Sequence, residues 1–281
     1  MADITRTPKP EYLHRSDGTL SGEPFRIRTD SNGFIQSSND FPNTGAMRKV
    51  VLLGDSFVES LFVQEQDRFP SVLERHLQAS GQNFQCLNGG YSGATMLHSF
   101  NVFMNKVAPM SQYVEKVLIF TAMSDARTLM RKQSYWARDK THAPIIEKRN
   151  GAVASDRSPS TAQLESMVAT FIYAARQFGQ EPIIVGTPFR AGGYHEDPFM
   201  PKMYPAHDSY RRGQERMGMI NRAASKVAAS TRTQYIDAHA EFGSKFHLFY
   251  DMLHFNREGQ AAMGDYLGRQ LKGTLPATPQ A

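Results

Sequence analysis

From Lys49 onward, short apolar runs alternate with longer segments whose apolar positions recur at helical spacing. The runs lie at 50–54, 84–88, 116–121, 182–186 and 234–237 and have the length of buried strands. The helical segments fall at about 67–80, 95–107, 161–179 and 208–230, with a last one at 256–272. Strand–helix alternation predicts an α/β unit over 49–275, a parallel sheet with right-handed crossovers and helices on both faces. In such sheets the ligand site lies beyond the carboxyl ends of the strands. The residues just after each run are therefore where chemistry is sought.

The first 48 residues read differently, being rich in Pro, Gly, Ser and Asn. One strand-like run, Phe25 to Thr29, precedes the turn pair Asn32-Gly33, so residues 25–36 are expected to form a small β-ribbon. Residues 1–48 are read as an extension that packs on the main domain. Two insertions interrupt the alternation. Residues 138–160 are polar and expected to be mobile, whereas 187–207 hold prolines, Gly192-Gly193 and several aromatics. The second leaves the carboxyl end of the fourth strand, where it can wall a site or simply cover the surface. No internal repeat is visible.

A composition of 40% apolar residues supports a packed core in 281 residues. The net charge of +5 and pI near 9.3 are mildly basic, but the cations are scattered. Arg211-Arg212 with Arg216 is interrupted by Glu215, which suits a solvated helix face better than nucleic-acid binding. The lone Cys86 excludes an internal disulfide and any multi-Cys metal site, and its apolar surroundings suggest a buried thiol. No run approaches 18 apolar residues, so no membrane span is expected. The polar N-terminus lacks a signal-peptide core, which reads as cytoplasmic, or as periplasmic or secreted if an export signal has been removed. Composition carries no signal of oligomeric state.

The chemistry begins at Gly54-Asp55-Ser56-Phe57, directly after the first buried run. Serine is a poor nucleophile unless an imidazole takes its proton and a carboxylate orients that imidazole. Asp251-Met252-Leu253-His254 supplies both groups, in a loop just before the last helix, which Asn256 can cap. Asp55 or Ser56 would serve equally well as a helix cap if the serine were not catalytic. The Gly-rich stretch Asn88-Gly89-Gly90-Tyr91-Ser92-Gly93-Ala94-Thr95 follows the second run and offers backbone N–H groups. It lacks both phosphate-loop patterns, so an oxyanion donor at Gly93 fits better than a nucleotide site. His98 and His195 are read as ordinary surface histidines, and Arg190 as a possible binder of an anionic substrate group. No His-x-x-x-His pair suggests a metal.

In these blocks and their order the chain resembles the SGNH (GDSL-type) hydrolases. Gly54-Asp55-Ser56-Phe57 matches the family's first block, with Ser56 as nucleophile. Asn88 to Thr95 matches the second, with Gly93 giving an oxyanion amide, and Asp251-x-x-His254 matches the last. The resemblance covers roughly residues 48–272. It implies a flavodoxin-like three-layer α/β/α fold with a five-stranded parallel sheet, no cofactor, and carboxyl-ester hydrolysis or acyl transfer. One block departs. Where the family has Gly-x-Asn-Asp, this chain has Ala122-Met123-Ser124-Asp125, so Ser124 stands at the position of the oxyanion Asn. Losing one oxyanion donor costs about 3–4 kcal/mol of transition-state stabilisation where it has been measured. Either another donor compensates, Asn88 and Asn101 being candidates that nothing in the sequence places there, or the enzyme is slower and more specialised.

The leading expectation is a serine esterase removing a small acyl group, acetyl above all, from a carbohydrate or similar polar ester. An O-acyltransferase acting on a glycan with the same triad is the alternative. A non-catalytic carbohydrate-binding protein on a degenerate scaffold is a third reading, set against the retention of all three triad residues.

Overall fold

The structure is a computed structural model that describes residues 1–37, 47–129, 135 and 160–275. Apart from Ser160, the insertion at 138–160 lies outside the described residues. The chain opens with β1 (Asp3–Arg6), the short helix α1 (Pro10–His14) and β2 (Phe25–Arg28). β1 and β2 pair antiparallel, with Ile4 opposite Ile27. This corrects the expected ribbon over 25–36. The Asn32-Gly33 turn does form, pinned by Asp30, whose Oδ1 accepts the N–H groups of Asn32 and Phe34. It joins only a single bridge, Thr29 to Ile35, and the main partner of β2 is β1. β1 escaped the sequence reading because all four of its residues are exposed, so it carries no apolar signal.

The apolar runs become β3 (Arg48–Leu53), β4 (Phe84–Asn88), β5 (Val114–Phe120), β6 (Ile183–Val185) and β7 (Gln234–Ile236). All neighbours pair parallel, in the order β4-β3-β5-β6-β7. A strand buried on both faces needs apolar residues at every position, because alternate side chains point to opposite layers. In β3, Val51 and Leu53 enter one core, with Leu87, Ile119 and Ile184, while Val50 and Leu52 enter the other, with Cys86, Leu118 and Phe120. Cys86 is buried, and burial raises its thiol pKa well above the ordinary value.

Between the strands run α2 (Ser56–Glu59), α3 (Phe69–Ala79), α4 (Met96–Val102), α5 (Asp125–Thr128) and α6 (Ala162–Gln177). They are followed by α7 (Phe199–Met203), α8 (His207–Ser230), α9 (Ala238–Phe242) and α10 (Arg257–Leu271). The five long predicted helices are present, although 95–107 ends in a π-turn at Phe103–Val107. The exposed face of α8 carries the Arg211–Glu215 pair at i,i+4 spacing.

Helices α6 and α8 pack against one core, and α3 and α10 against the other. α3 and α10 approach so closely that a Cβ on Gly264 would lie 2.5 Å from Val72 Cβ and 2.9 Å from the Phe69 carbonyl. This contact ties the helix after Asp251-x-x-His254 to the helix that follows Ser56. Gly264→Ala is expected to destabilise the fold by about 1–3 kcal/mol, the usual range for an overpacked core. Urea denaturation followed by circular dichroism measures it.

Candidate active site

β3 lies inside the sheet, and the chain leaves it for β4 on one side and then β5 on the other. Ser56 therefore sits at the switch point, where parallel sheets open a crevice at their carboxyl ends. A Cβ on Gly54 would lie 2.4 Å from Val58 Cγ2, so only glycine lets α2 start this close to the strand. Asp55 caps α2, its Oδ1 accepting the Phe57 N–H at 3.0 Å. Ser56 occupies the first position of the helix, where a backbone N–H has no intrahelical acceptor.

The partners of Ser56 come from beyond β7, at the far edge of the sheet. Residues 248–256 fold back on themselves through an antiparallel bridge between Phe249 and Phe255. The Tyr250 N–H donates to the His254 carbonyl, and the Asn256 N–H to the Leu248 carbonyl. The resulting loop brings His254 Nε2 to 2.8 Å from Ser56 Oγ. On the other side of the ring, His254 Nδ1 lies 2.8 Å from Asp251 Oδ2. Asp251 Oδ1 accepts the N–H groups of Leu253 and His254 at 2.8 and 2.7 Å, which fixes the carboxylate as well as the imidazole.

Electrostatics follow from this geometry. Burial disfavours the charged form of both His254 and Asp251, yet their mutual charge and hydrogen bonding outweigh it. The Asp251 carboxyl is held below its usual range, while the His254 imidazolium is stabilised, with Asp55 and Glu59 adding to the effect. The pair keeps 25% and 28% of its side-chain surface, for His254 and Asp251 respectively, so it remains reachable from solvent. Tyr250, itself buried, stacks on the His254 ring at an interplanar angle of 12°.

Gly93, in the turn after β4, has a φ of 76°, and its N–H meets no acceptor among the described residues. Ser124 follows β5 as the N-cap residue of α5. Its neighbour Met123 donates its N–H to Asp55 Oδ2 at 2.8 Å, which ties this third turn to the first. Neither proposed substitute for the missing Asn is free for the role. Asn88 is buried, with Nδ2 on the Val58 carbonyl and Oδ1 on the Gly90 N–H. Asn101 is exposed and bonds Asn105.

Arg190 stands apart from this constellation, contrary to the substrate-binding expectation. Its guanidinium is buried, donating to Asp197, Asp17 and the Phe249 carbonyl. Its cation is already shared by Asp17 and Asp197, and with 3% of its side-chain surface exposed it is turned away from solvent. Arg190 instead braces the 248–256 loop, its guanidinium donating to the Phe249 carbonyl and its own N–H to the Met252 carbonyl. The loop 187–207 contains α7, and its Tyr194, Phe199 and Met200 form with Tyr210 a cluster against which Met252, between Asp251 and His254 in the chain, also packs. His98 is buried rather than at the surface, where it completes a capping box with Thr95. His195 is exposed, edge-on to Tyr194.

The sequence reading missed the acids around the triad. Asp125 Oδ2 accepts the Met96 N–H, and burial pushes its pKa up to about 7. Glu59 accepts from the Ser92 hydroxyl. The available signal was acidic residues just beyond two strand ends, Asp55 and Glu59 after β3 and Asp125 after β5, which resemble ordinary caps when seen in sequence alone. Among the described residues, no three His, Cys, Asp or Glu side chains gather as metal ligands. No described helix is long and apolar enough to cross a membrane.

The proton affinity of His254 is directly measurable. NMR titration of its ring is expected to give a midpoint above the ordinary 6.5, because Asp251 favours the imidazolium. Asp251→Asn removes that charge and leaves the burial, so the midpoint is expected to fall.

Comparisons with known proteins bear on the fold and the family. Among solved structures, a lipase/acylhydrolase from Enterococcus faecalis shares 20% identity, covering 84% of this chain and all (100%) of that one, with a TM-score of 0.55. An acetyl xylan esterase shares 13% identity over 79% of this chain and 99% of that one, with a TM-score of 0.55. An acetylxylan esterase from Geobacillus stearothermophilus shares 17% over 80% and 93%, with a TM-score of 0.51. At such identities the likeness is one of fold. A comparison with curated proteins finds no match. A model of the GDSL-like lipase/acylhydrolase family, however, matches residues 52–262, from the end of the first core strand through the His254 loop into the last helix. The chain thus belongs to the GDSL-like lipase/acylhydrolase family of ester-hydrolysing serine hydrolases.

Proposed function

We propose that this protein is a serine esterase that releases a small acyl group, acetyl in particular, from a carbohydrate or similar polar ester. The observation that carries the reading is the unbroken relay from Ser56 through His254 to Asp251, with both hydrogen bonds at 2.8 Å. Ser56 Oγ attacks the ester carbonyl carbon while His254 Nε2 takes its proton. The tetrahedral intermediate collapses as His254 returns that proton to the leaving alcohol, which leaves an acyl-Ser56 ester. Water then enters by the same steps in reverse order, with His254 again as base. Asp251 holds the ring tautomer and stabilises the imidazolium.

The oxyanion is assigned to the N–H groups of Ser56 and Gly93, with the Ser124 hydroxyl as the third donor. Backbone N–H groups fixed before the reaction need no reorganisation as charge develops, which is why such donors count heavily. Preference for a small acyl group is supported by the two acetylxylan esterases that share the fold. Hydrolysis of aryl acetates by the wild type, Ser56→Ala and His254→Ala tests the mechanism. Each variant is expected to lose at least about a thousandfold in kcat, since triad members act as a unit. Wild-type turnover in either one would sink the assignment. The acid limb of kcat/KM in the wild type is expected above the ordinary imidazole value of 6.5, because His254 must lose its proton to act as base.

A second reading, O-acyl transfer to a glycan hydroxyl, draws on the N-terminal extension. Thr19, Leu20 and Glu23 close a cavity of about 190 Å3 with Phe62 and with Tyr250, the residue stacked on His254. Tyr250 is the residue through which that cavity adjoins the His254 ring. Incubation with an acetyl donor and candidate oligosaccharides, followed by mass spectrometry, separates the two. Acetylated glycan supports transfer, and free acetate without glycan modification supports hydrolysis.

A further inference from the structure

Glu59 takes no part in the proton relay, yet its place in the fold is unusual. It lies one helical turn after Ser56 on α2, and residues three apart share a helix face. From that face its carboxylate accepts the hydroxyl of Ser92, and the Ser92 backbone N–H also bonds it. Ser92 immediately precedes Gly93 in the turn after β4. The same end of α2 is gripped from the other side by Asn88, whose Nδ2 donates to the carbonyls of Val58 at 2.8 Å and Glu59 at 3.4 Å.

We propose that Glu59 is a positioning residue, holding the Ser92–Gly93 turn on the helix face that carries Ser56 so that the Gly93 N–H is preset to receive the oxyanion. The inference rests on the esterase reading above and assigns the turn's rigidity to one side chain. The arrangement is economical in sequence. The nucleophile and the clamp on its oxyanion donor stand three positions apart on one short helix. A free Gly-rich turn would let the Gly93 N–H wander, and misplacing a catalytic group by about 1 Å can cost a hundredfold in rate.

The carboxylate has a second effect through its charge. His254 is faced by Asp251 from its own loop, Asp55 from the end of β3 and Glu59 from α2, and Tyr250 covers one side of its ring. Glu59 itself is faced by Arg68, by His254 and by the Ser92 donors. Burial raises the Glu59 pKa, and the Ser92 bonds and those two cations work against the rise. As a carboxylate it favours the imidazolium form of His254. Removing its charge therefore lowers the His254 pKa and moves the acid limb of the rate profile to lower pH. A purely structural residue would leave that limb in place.

The test is aryl acetate hydrolysis by the full chain as wild type, Glu59→Gln, Glu59→Ala and Ser92→Ala, with thermal melts of each. Glu59→Ala is expected to lose roughly tenfold or more in kcat, with KM changed less than about twofold. Glu59→Gln keeps one acceptor for Ser92, so it is expected to recover part of kcat while shifting the acid limb to lower pH. Ser92→Ala is expected to lower kcat without moving the limb. The proposal is overturned if both Glu59 variants keep wild-type kcat and the wild-type limb, or if melting temperature alone falls. An inactive wild type, or an active Ser56→Ala, would instead remove the esterase reading on which it stands.

Discussion

Buried carboxylates that accept backbone N–H groups hold the carboxyl edge of this sheet together. Three turns and one loop meet there, and each brings amides that no strand or helix can satisfy. Asp55 serves its own helix through Phe57 and the third turn through Met123, while Asp125 serves the second turn through Met96. Asp251, only half-buried, accepts N–H groups in the same way within the last loop. Burying an ionised group is expensive unless strong donors replace water. Charge-assisted bonds to N–H groups supply that replacement, and they are directional enough to fix the turns relative to one another. The strain of the arrangement appears in Asp125, whose pKa is pushed up to about 7 by burial and by the neighbouring Asp55.

Rigid turns matter because Ser56 and His254 originate far apart in the fold. Ser56 follows a central strand, while His254 belongs to a loop beyond the edge strand β7. The loop spans that distance only as a closed hairpin, pinched at Phe249 and Phe255 and braced from below by Arg190. Arg190 is itself neutralised by Asp17 of the N-terminal extension and by Asp197. A residue that seemed fit for substrate is thus committed to the loop that carries His254. The extension, for its part, is joined to the catalytic loop through this ion pair.

Much of the fold was legible in the sequence, and the reasons are physical. Runs such as Val50 to Leu53 must be apolar at every position because both faces of the sheet are covered. The long helices announced themselves through their buried stripes and caps, Asn256 capping α10 as expected. Elements without a buried stripe were silent. β1 is exposed along its whole length, and α2, α5, α7 and α9 are too short to show a period. Ser56, Asp251 and His254 could be singled out as candidates because a serine nucleophile needs a base and an orienting acid, and the structure brings these three within hydrogen-bonding reach. Arg190 and His98 were misplaced because charge and aromaticity do not reveal which partners will bury a side chain.

The sequence by itself determined the alternation of strands and helices, and with it the crevice at the carboxyl ends. It also singled out Ser56, His254 and Asp251 as the candidate nucleophile, base and acid, since residue type and spacing are local properties of short segments. Only the tertiary structure decided how those segments meet. The 2.8 Å contact between Ser56 and His254 spans most of the chain's length, and no periodicity encodes such a distance. The same holds for the carboxylates at positions 55, 59 and 125. Along the chain they look like caps and surface acids. Once the strands are aligned, their oxygens become the acceptors that hold three turns in register around one serine.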